Sequence, residues 1–207
     1  MAIVHIVDDD ASFRTSTARL LKVCGYEVVT YESAEQLLER LPDDRIASCI
    51  LLDVRIPGLS GPELQDRLAE LGSALPIVFL TGHGDVPTSV RAIKAGAEDF
   101  LTKPVPKDAL IDAIERAVAR SQVKREKSDQ LNALRGFVSS LTPREHQVFE
   151  RVAQGKMNKQ IAHELGTTER TIKAHRQKVM EKLRIESVTE LVLIAERLGI
   201  LAAPARK

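Results

Sequence analysis

The sequence predicts an α/β fold with a parallel sheet, followed by a small all-α domain. Residues 1–120 alternate five times between a short apolar strand pattern and a helix pattern, which favours a parallel sheet with helices on both faces. Within this region Ile50-Leu51-Leu52 is apolar without alternation, as in a strand covered on both faces. Residues 139–198 show helix patterns alone. We therefore expect a doubly wound α/β domain and a separate helical domain.

The elements of the first domain follow from local patterns. Strands are expected at residues 3–7, 26–31, 50–53, 77–80 and 99–102. Helices are expected at residues 12–24, 33–41, about 62–71, about 87–96 and 107–120. Ser33 is a favoured N-cap residue and Gly25 a favoured helix stop, which supports the first two helices.

Four helices are predicted in the second domain. The segment Thr142-Pro143-Arg144-Glu145 has the N-cap residue, the N1 proline and the N3 acid of a helix start. A short helix at residues 158–165 is closed by Gly166, a longer basic helix runs to about residue 183, and a last helix covers residues 187–198. A short helix, a glycine turn and a longer basic helix form a helix-turn-helix pattern.

Residues 121–138 separate the two domains and are mostly polar, with a thin apolar stripe that includes Val123, Leu131 and Leu134. This segment either extends the preceding helix or acts as a linker, and so short a periodic stretch does not decide between them. On this pattern the domains are residues 1–120 and 139–207, with a polar linker between them.

Charge is divided unevenly between the two domains. Residues 1–120 hold 13 Lys and Arg against 19 Asp and Glu, a balance of −6, whereas residues 139–207 hold 13 against 8, a balance of +5. A basic module joined to an acidic one indicates that the basic module meets a polyanion. The chain has no Trp and only 3% aromatic residues, so it lacks the stacking platforms of single-strand binders, and duplex DNA is favoured.

The sequence also bears on cellular location. Cys24 and Cys49 lack metal-ligand spacing, so two reduced thiols are expected. Met1-Ala2 leads directly into a strand without a signal peptide, and the apolar runs are too short to cross a bilayer. We therefore expect a soluble cytoplasmic protein with no membrane partner.

Four of the predicted strands end in residues that can carry chemistry. Asp8 and Asp9 follow the first strand, Asp53 the third, Thr81 the fourth and Lys103 the fifth. Because the carboxyl ends of parallel strands share one edge of the sheet, these side chains are expected to meet there. A carboxylate can attack phosphorus to form an acyl phosphate, and neighbouring carboxylates bind Mg²⁺. An ammonium and a hydroxyl can bind the phosphoryl oxygens.

Each of these residues also has a purely structural explanation. The run Asp8-Asp9-Asp10 is also typical of a loop or an N-cap, Asp53 of a cap, and Lys103 of an exposed surface. Their occurrence together at successive strand ends is a much more specific pattern than any one of them.

This pattern resembles the receiver domain of two-component response regulators over residues 1–120. The resemblance implies the strand order 2-1-3-4-5 and a cis Lys103–Pro104 bond. It implies Asp53 as the phosphoacceptor and catalytic roles for Thr81 and Lys103. It also implies a Mg²⁺ site made of Asp8, Asp9, Asp53 and the Arg55 carbonyl, and a switch formed by Thr81 and Phe100.

Four residues depart from the usual pattern of that family. Phe100 stands where Tyr is commoner, so its side chain cannot form a hydroxyl hydrogen bond in the switched state. Val105 stands where Phe is usual. Arg55 and His83 lie beside the expected path of hydrolytic water, so the lifetime of the phosphate does not follow from the resemblance.

Three segments of the second domain are Leu141-Thr142-Pro143-Arg144-Glu145, Asn158-Lys159-Gln160-Ile161-Ala162 and Thr171-Ile172-Lys173-Ala174-His175. They are similar to the four-helix DNA-binding domain of LuxR/FixJ-type regulators. The similarity implies that the third helix lies in the major groove, with Lys173, Ala174 and Gln177 facing base edges. The residues expected to hold the DNA backbone are Lys159, Arg170, Thr171, Arg176 and Lys178. A solvated helix face is the alternative, and the +5 balance argues against it.

Together the two resemblances imply a transcription regulator that is switched by phosphorylation. Its expected partners are a sensor histidine kinase, double-stranded promoter DNA and RNA polymerase, with a homodimer formed on phosphorylation. The expected dimer face consists of Val90, Arg91, Ile93, Lys94, Asp99 and Ile111.

Two other functions fit parts of the sequence. A phosphatase-like hydrolase would turn over a phosphorylated Asp53, but haloacid-dehalogenase-type enzymes need an Asp two residues later, where Arg55 cannot donate a proton. A receiver that serves only as a dimerisation module would not need the complete set of acids, hydroxyl and ammonium. We therefore predict a regulator and not an enzyme.

Overall fold

The structure, a computed structural model, describes residues 2–43, 45–82 and 86–201. The chain forms two compact units, residues 1–126 and residues 127–207. The first unit is an α/β domain, and the described part of the second contains only helices, as the sequence predicts.

The first unit is built on a five-stranded parallel sheet. Its strands are β1 (Ile3–Val7), β2 (Glu27–Tyr31), β3 (Ser48–Asp53), β4 (Ile77–Thr81) and β5 (Asp99–Thr102). Their order in the sheet is β2-β1-β3-β4-β5, so the predicted order is confirmed. The order reverses between β1 and β3, and in such sheets sites lie outside the carboxyl ends of the strands at that reversal.

Two apolar cores cover the two faces of this sheet. Leu52 lies in one core with Leu64 and Phe79, and its neighbour Leu51 lies in the other with Ile114. Successive strand residues point to opposite faces, so helices on both sides require a continuous apolar run in β3. All five side chains are fully buried, and each contributes roughly 1.5–3 kcal/mol to folding.

The helices of the first unit are α1 (Ala11–Val23), α2 (Ala34–Glu39), α3 (Gly61–Glu70), α4 (Val86–Lys94) and the first part of α5 (Lys107–Ser139). The predicted end of α2 at residue 41 is wrong, because the helix stops at Glu39. Pro42 disfavours a helical conformation at the residue before it, which explains the early end.

α5 is a single helix from Lys107 to Ser139, and the predicted end at residue 120 is too early. Residues 121–138, for which the sequence left two alternatives open, are therefore helical. The Ser121 hydroxyl accepts a hydrogen bond from the Ser48 N–H at 3.2 Å, which anchors this stretch in the first unit. Farther along, Leu134 and Val138 belong to the core of the second unit.

The second unit contains the four predicted helices after the end of α5. They are α6 (Pro143–Ala153), α7 (Asn158–Glu164), α8 (Glu169–Leu183) and α9 (Val188–Arg197). Phe149, Ile161 and Ile172 lie at the centre of their shared core. The turn between α7 and α8 contains Gly166 at φ +60°, a conformation that glycine adopts readily. Among the described helices of both units, none is long and apolar enough to cross a membrane.

Glu145 ties the start of α6 to α8. Its carboxylate accepts a hydrogen bond from the Thr142 N–H at 2.9 Å and lies 2.6 Å from Lys182 Nζ. The Thr142 hydroxyl in turn accepts from the Glu145 N–H at 3.3 Å, which completes the capping box expected from the sequence. The hydrogen bonds from Lys182 and from the Thr142 N–H lower the pKa of Glu145 from 4.5 to about 2.

We predict that Glu145→Gln destabilises the second unit at neutral pH and that the difference shrinks in acid. A carboxyl group with a lowered folded-state pKa stabilises the fold fully above its unfolded value of 4.5, and this contribution is lost as the pH falls towards about 2. Amide hydrogen exchange in α6 and α8, compared between the two proteins at each pH, measures the effect. The more exposed Glu150→Gln on the same helix is the control, and equal exchange of wild type and Glu145→Gln at pH 7 would contradict the prediction.

Candidate functional site

Three carboxylates meet at the carboxyl end of the sheet. Asp8 and Asp9 follow β1, Asp53 ends β3, and one carboxylate oxygen of each lies within 4.8 Å of the others. Asp8 is buried, Asp53 is nearly so and Asp9 is exposed. Backbone groups orient two of them, since the Asp10 N–H donates to Asp8 Oδ1 and the Arg55 N–H donates to Asp53 Oδ1, each at 2.9 Å.

Asp10 has a different role from its two neighbours. Its side chain accepts hydrogen bonds from the backbone N–H groups of Ser12 at 2.8 Å and Phe13 at 3.2 Å, so it is the N-cap of α1. The N-cap explanation of the acidic run therefore holds for Asp10, and Asp8 and Asp9 remain as candidate metal ligands.

Lys103 brings an ammonium group between two of the carboxylates. Its Nζ lies 2.6 Å from Asp8 Oδ2 and 2.5 Å from Asp53 Oδ2. The loop that carries it contains a cis Lys103–Pro104 bond, and the Lys103 N–H donates to the Thr81 carbonyl at 2.7 Å. The structure thus brings together the acids and the ammonium from three different strand ends.

Burial and neighbouring charges shift the pKa values of this cluster in opposite directions. Burial raises the pKa of Asp8, although the hydrogen bond from Lys103 and its charge partly offset that effect. Burial by itself would lower the pKa of Lys103, but hydrogen bonds to Asp53 and Asp8 outweigh it and the pKa is raised. The ammonium is therefore held in its charged form.

The donor set fits Mg²⁺. This ion prefers hard oxygen ligands and usually retains several waters, and here carboxylate oxygens from Asp8, Asp9 and Asp53 lie together with Asp9 open to solvent. Among the described residues, the three carboxylates share one ammonium, that of Lys103, so the cluster carries an excess of negative charge when it is ionised. A second cation at this edge would therefore favour the ionised cluster.

Thr81 and Phe100 lie on neighbouring strands beside the cluster. Thr81 is fully buried at the end of β4 and is level with Thr102 in β5, two residues beyond Phe100. The Phe100 ring packs against Phe79, with 6.0 Å between ring centres. The two predicted switch residues are therefore diagonal neighbours on one face of the sheet. His83, which the sequence analysis also singled out, lies outside the described residues.

Gly61 sets α3 directly against Asp53. A Cβ atom at this position would lie 2.5 Å from the Asp53 carbonyl oxygen and 3.0 Å from the Phe79 ring, so a larger residue would displace the candidate nucleophile. Sequence reasoning treated this stretch only as the loop before a helix and missed the constraint. The signal in the sequence is a pair of glycines, Gly58 and Gly61, that closely follows Asp53.

The apolar part of the predicted dimer face is accessible. On α4, Val90 and Ile93 are 45% and 46% exposed, and Lys94 beside them is exposed as well. Ile111 on α5 is half-buried, so it offers a smaller apolar surface. These side chains are available for a contact with another molecule.

The charged part of the predicted dimer face is already engaged within the chain. Arg91 lies 3.5 Å from a carboxylate oxygen of Asp66, and both side chains are largely exposed. Asp99 forms an ion pair with Arg116 and also accepts a hydrogen bond from its neighbour's backbone N–H. A contact between Arg91 and Asp99 of two protomers would have to replace these pairs.

The outer surface of α8 presents the residues expected to face base edges. Lys173, Ala174 and Gln177 are exposed, as is Lys178. The Gln177 amide donates to the Glu181 carboxylate at 3.0 Å, so one of its N–H groups is already engaged.

The basic residues of this unit fall into two groups. Lys156 and Arg151 pair with Glu164, and Lys182 pairs with Glu145. The exposed residues Lys159, Arg170, Lys173 and Lys178 have no acidic partner within 4 Å among residues 2–43, 45–82 and 86–201.

Two of the predicted DNA contacts also form hydrogen bonds inside the domain. Arg176 Nη1 donates to Asn158 Oδ1 at 2.7 Å, which links α8 to the start of α7. The Thr171 N–H donates to the Thr168 hydroxyl at 3.2 Å as part of the N-cap of α8. Asn158 lies 18 residues from Arg176 in the sequence, so residue type alone does not show that contact.

Two sequence families match this chain. Residues 4–115 match the family described as "Response regulator receiver domain", and residues 139–195 match the family described as "Bacterial regulatory proteins, luxR family". The chain is a response regulator. It is 46% identical to Nodulation protein W of Bradyrhizobium diazoefficiens, over 97% of this chain and 88% of that protein.

Other response regulators are similar over nearly the whole chain. Response regulator protein TmoT of Ectopseudomonas mendocina is 41% identical, over 95% of this chain and 89% of that protein. Transcriptional regulatory protein FixJ of Bradyrhizobium diazoefficiens is 40% identical, over 96% of both. Among solved structures, the response regulator StyR matches with a TM-score of 0.83 and 44% identity, over 95% of this chain and 98% of that one.

These findings establish the general function. As a response regulator with a LuxR-type domain, the protein is a phosphorylation-regulated, DNA-binding regulator of transcription, and its partners are a sensor kinase and DNA. Proteins of this architecture are transcription factors, so the hydrolase alternative is not favoured. Receiver domains typically bind Mg²⁺ in an acidic pocket of the kind formed by Asp8, Asp9 and Asp53.

Proposed function

We propose that Asp53 is the phosphoacceptor of this response regulator. The observation that carries the proposal is the Lys103 ammonium, which lies 2.5 Å from the Asp53 carboxylate and 2.6 Å from that of Asp8. The Asp53 side chain is 12% exposed, so a phosphodonor can approach it. The Arg55 N–H holds one of its oxygens, which fixes the direction of the carboxylate.

In the proposed transfer, a carboxylate oxygen of Asp53 attacks the phosphorus of a phosphohistidine on the sensor histidine kinase. The P–N bond breaks and an acyl phosphate forms. Lys103 then pairs with the new phosphoryl oxygens, and Thr81 donates its hydroxyl to them. A Mg²⁺ ion held by Asp8, Asp9, Asp53 and the Arg55 carbonyl would supply neutralising charge for those oxygens when bound.

We further propose that Thr81 and Phe100 carry this change to the dimer face. When Thr81 moves towards the phosphoryl oxygens, space opens on the sheet face that it shares with Phe100. Rotation of the Phe100 ring into that space changes the surface beside α4, where Val90 and Ile93 are exposed. Two phosphorylated copies then dimerise through α4, β5 and α5, with Lys94 and Arg91 of one copy pairing with Asp99 of the other.

The dimer links phosphorylation to DNA binding. Two helix-turn-helix units on a two-fold axis fit half-sites about one helical turn apart. Binding both half-sites raises the affinity through effective concentration, without a new contact in either unit. We propose that the protein binds promoter DNA in the cytoplasm in this form and there meets RNA polymerase.

Within each helix-turn-helix, we propose a division between base contacts and backbone contacts. Lys173, Ala174 and Gln177 face the base edges, and their exposure on α8 supports this role. Contacts with the DNA backbone come from Lys159, Arg170, Thr171, Arg176 and Lys178. Base contacts give specificity, whereas phosphate contacts give affinity for any duplex.

The first prediction that follows from this proposal concerns the phosphoacceptor. Asp53→Asn should abolish labelling by acetyl phosphate, because an amide cannot act as the nucleophile, and removal of Mg²⁺ from the wild type should do the same. Mass spectrometry of the labelled protein measures the effect. Asp112→Asn, an exposed acid on α5, should be labelled like the wild type. Labelling of Asp53→Asn at the wild-type rate would show that another residue accepts the phosphoryl group.

The second prediction concerns dimerisation. In sedimentation velocity, the wild type should be mainly monomeric alone and dimeric with Mg²⁺ and beryllium fluoride, which mimics the phosphoryl group. Val90→Asp should stay monomeric while Asp53 is still labelled, because the contact would bury an unpaired charge. Val23→Asp, at a valine on α1 that is even more exposed than Val90 (86% against 45%), should dimerise like the wild type. A dimer of equal strength with and without the mimic would rule out this switch.

The third prediction separates the two kinds of DNA contact. Lys173→Ala should lose about 1–3 kcal/mol of discrimination at one base position. Lys178→Ala should weaken binding to all duplexes alike and reduce the slope of log affinity against log salt by about one. Titrations with an operator, a mutated operator and unrelated duplex measure both effects. If the two variants behave alike, the assignment of their roles is wrong.

A further inference from the structure

We propose that Phe13 is a positioning residue for Lys103 in phosphoryl transfer, an inference that rests on the proposed function of Asp53. The Lys103 Nζ lies over the Phe13 ring, 4.0 Å from its centre. This distance is well within the range of a cation–π interaction. In the sequence, Phe13 is one of several apolar residues among polar ones in the helix pattern at residues 12–24.

The ring completes the surroundings of the ammonium. A lysine ammonium has three donors, and two of them are directed at the carboxylates of Asp8 and Asp53. The face of the Phe13 ring borders the same nitrogen. Only 17% of the Lys103 side chain is exposed, so the ring replaces water next to the charge. An aliphatic side chain could fill the same space, but it would not attract the cation.

Phe13 is itself held in place by the start of α1. Its backbone N–H donates to the Asp10 side chain at 3.2 Å, within the N-cap of the helix. Its side chain packs against the core that contains Leu21 and Ile114. The ring is thus fixed to the same strand-to-helix connection that supplies Asp8 and Asp9.

The groove beside Lys103 indicates which movement of the lysine side chain the ring would oppose. A surface groove runs beside Lys103 and is lined by Phe13, Leu20, Val105 and Leu110. Val105 is small and leaves this groove open, and the flexible lysine side chain can rotate towards it. The attraction between the ring and the ammonium opposes that rotation and holds the charge at Asp53.

This restraint matters for the rate of transfer. Negative charge on the phosphoryl oxygens is best stabilised by a cation that is already in place and needs no rearrangement. While the Lys103 ammonium lies in the groove, it is absent from the phosphoryl oxygens. Phosphoryl transfer to Asp53 therefore slows in proportion to the time spent there.

The test compares two substitutions at one position. Phe13→Leu keeps an apolar side chain but removes the ring, whereas Phe13→Tyr keeps the ring. With acetyl phosphate and Mg²⁺, Phe13→Leu should be labelled at Asp53 more slowly by a factor of about three to ten, and Phe13→Tyr should retain the wild-type rate. Leu20→Ala, in the same groove but away from the ammonium, should also retain the wild-type rate.

A second measurement reports on Lys103 directly and needs no phosphorylation. Methylene protons that lie over an aromatic ring resonate upfield, and the Lys103 signals can be assigned by their absence in Lys103→Met. In the unphosphorylated full-length protein, these signals should be upfield in the wild type and in Phe13→Tyr. In Phe13→Leu they should return to the position of the other lysines.

Several outcomes would overturn the proposal. A wild-type rate in Phe13→Leu, or Lys103 signals that do not depend on Phe13, would show that the ring does not position the ammonium. Equal slowing in Phe13→Leu, Phe13→Tyr and Leu20→Ala would assign the effect to packing of the groove. If the wild type is not labelled at Asp53 at all, the proposed function fails and the role of Phe13 in it falls too, even where the NMR contact is found.

Discussion

The Lys103 ammonium between two carboxylates is the interaction on which the acidic site depends. The register of the sheet pairs Val7 with Leu52, so Asp8 and Asp53 come out side by side at its edge. Two carboxylates so close together repel each other, and burial of Asp8 strengthens that repulsion. Lys103 reaches both from the end of β5 and compensates part of their charge. It can do so only because the parallel strands end together.

The carboxyl ends of β4 and β5 also connect the acidic site to the α4–β5 surface, which is expected to change on phosphorylation. The Lys103 N–H is bonded to the Thr81 carbonyl, so the backbone segments that carry the ammonium and the hydroxyl are tied together. Phe100 lies on β5, the strand that ends just before Lys103, and packs on Phe79 of β4. A rearrangement around a phosphoryl group therefore acts on two strands whose aromatic side chains already touch. No separate relay through the core is required for such a rearrangement to alter the α4–β5 surface.

The parts that the sequence predicts well are those that follow from short-range patterns. Asp8 and Asp53 each follow an apolar strand run, and parallel register alone brings such ends together. The extension of α5 beyond residue 120 could not be predicted, because its apolar stripe is thin and its anchor at Ser48 is far away in the sequence. The contact between Phe13 and Lys103 likewise joins α1 to the loop after β5, and only the folded chain shows it.

In the second unit, net charge is a poorer guide to DNA contacts than the pairing of each basic residue. Lys182 is bound to Glu145 and Arg176 to Asn158, so both stabilise the packing of helices. A phosphate contact by either residue competes with an existing hydrogen bond for the position of the side chain, which reduces its net gain. The exposed Lys173 and Lys178 have no acidic partner among the described residues, and phosphate binding there releases counterions without that loss. The balance of +5 over residues 139–207 therefore does not show which of the basic residues are directed at DNA.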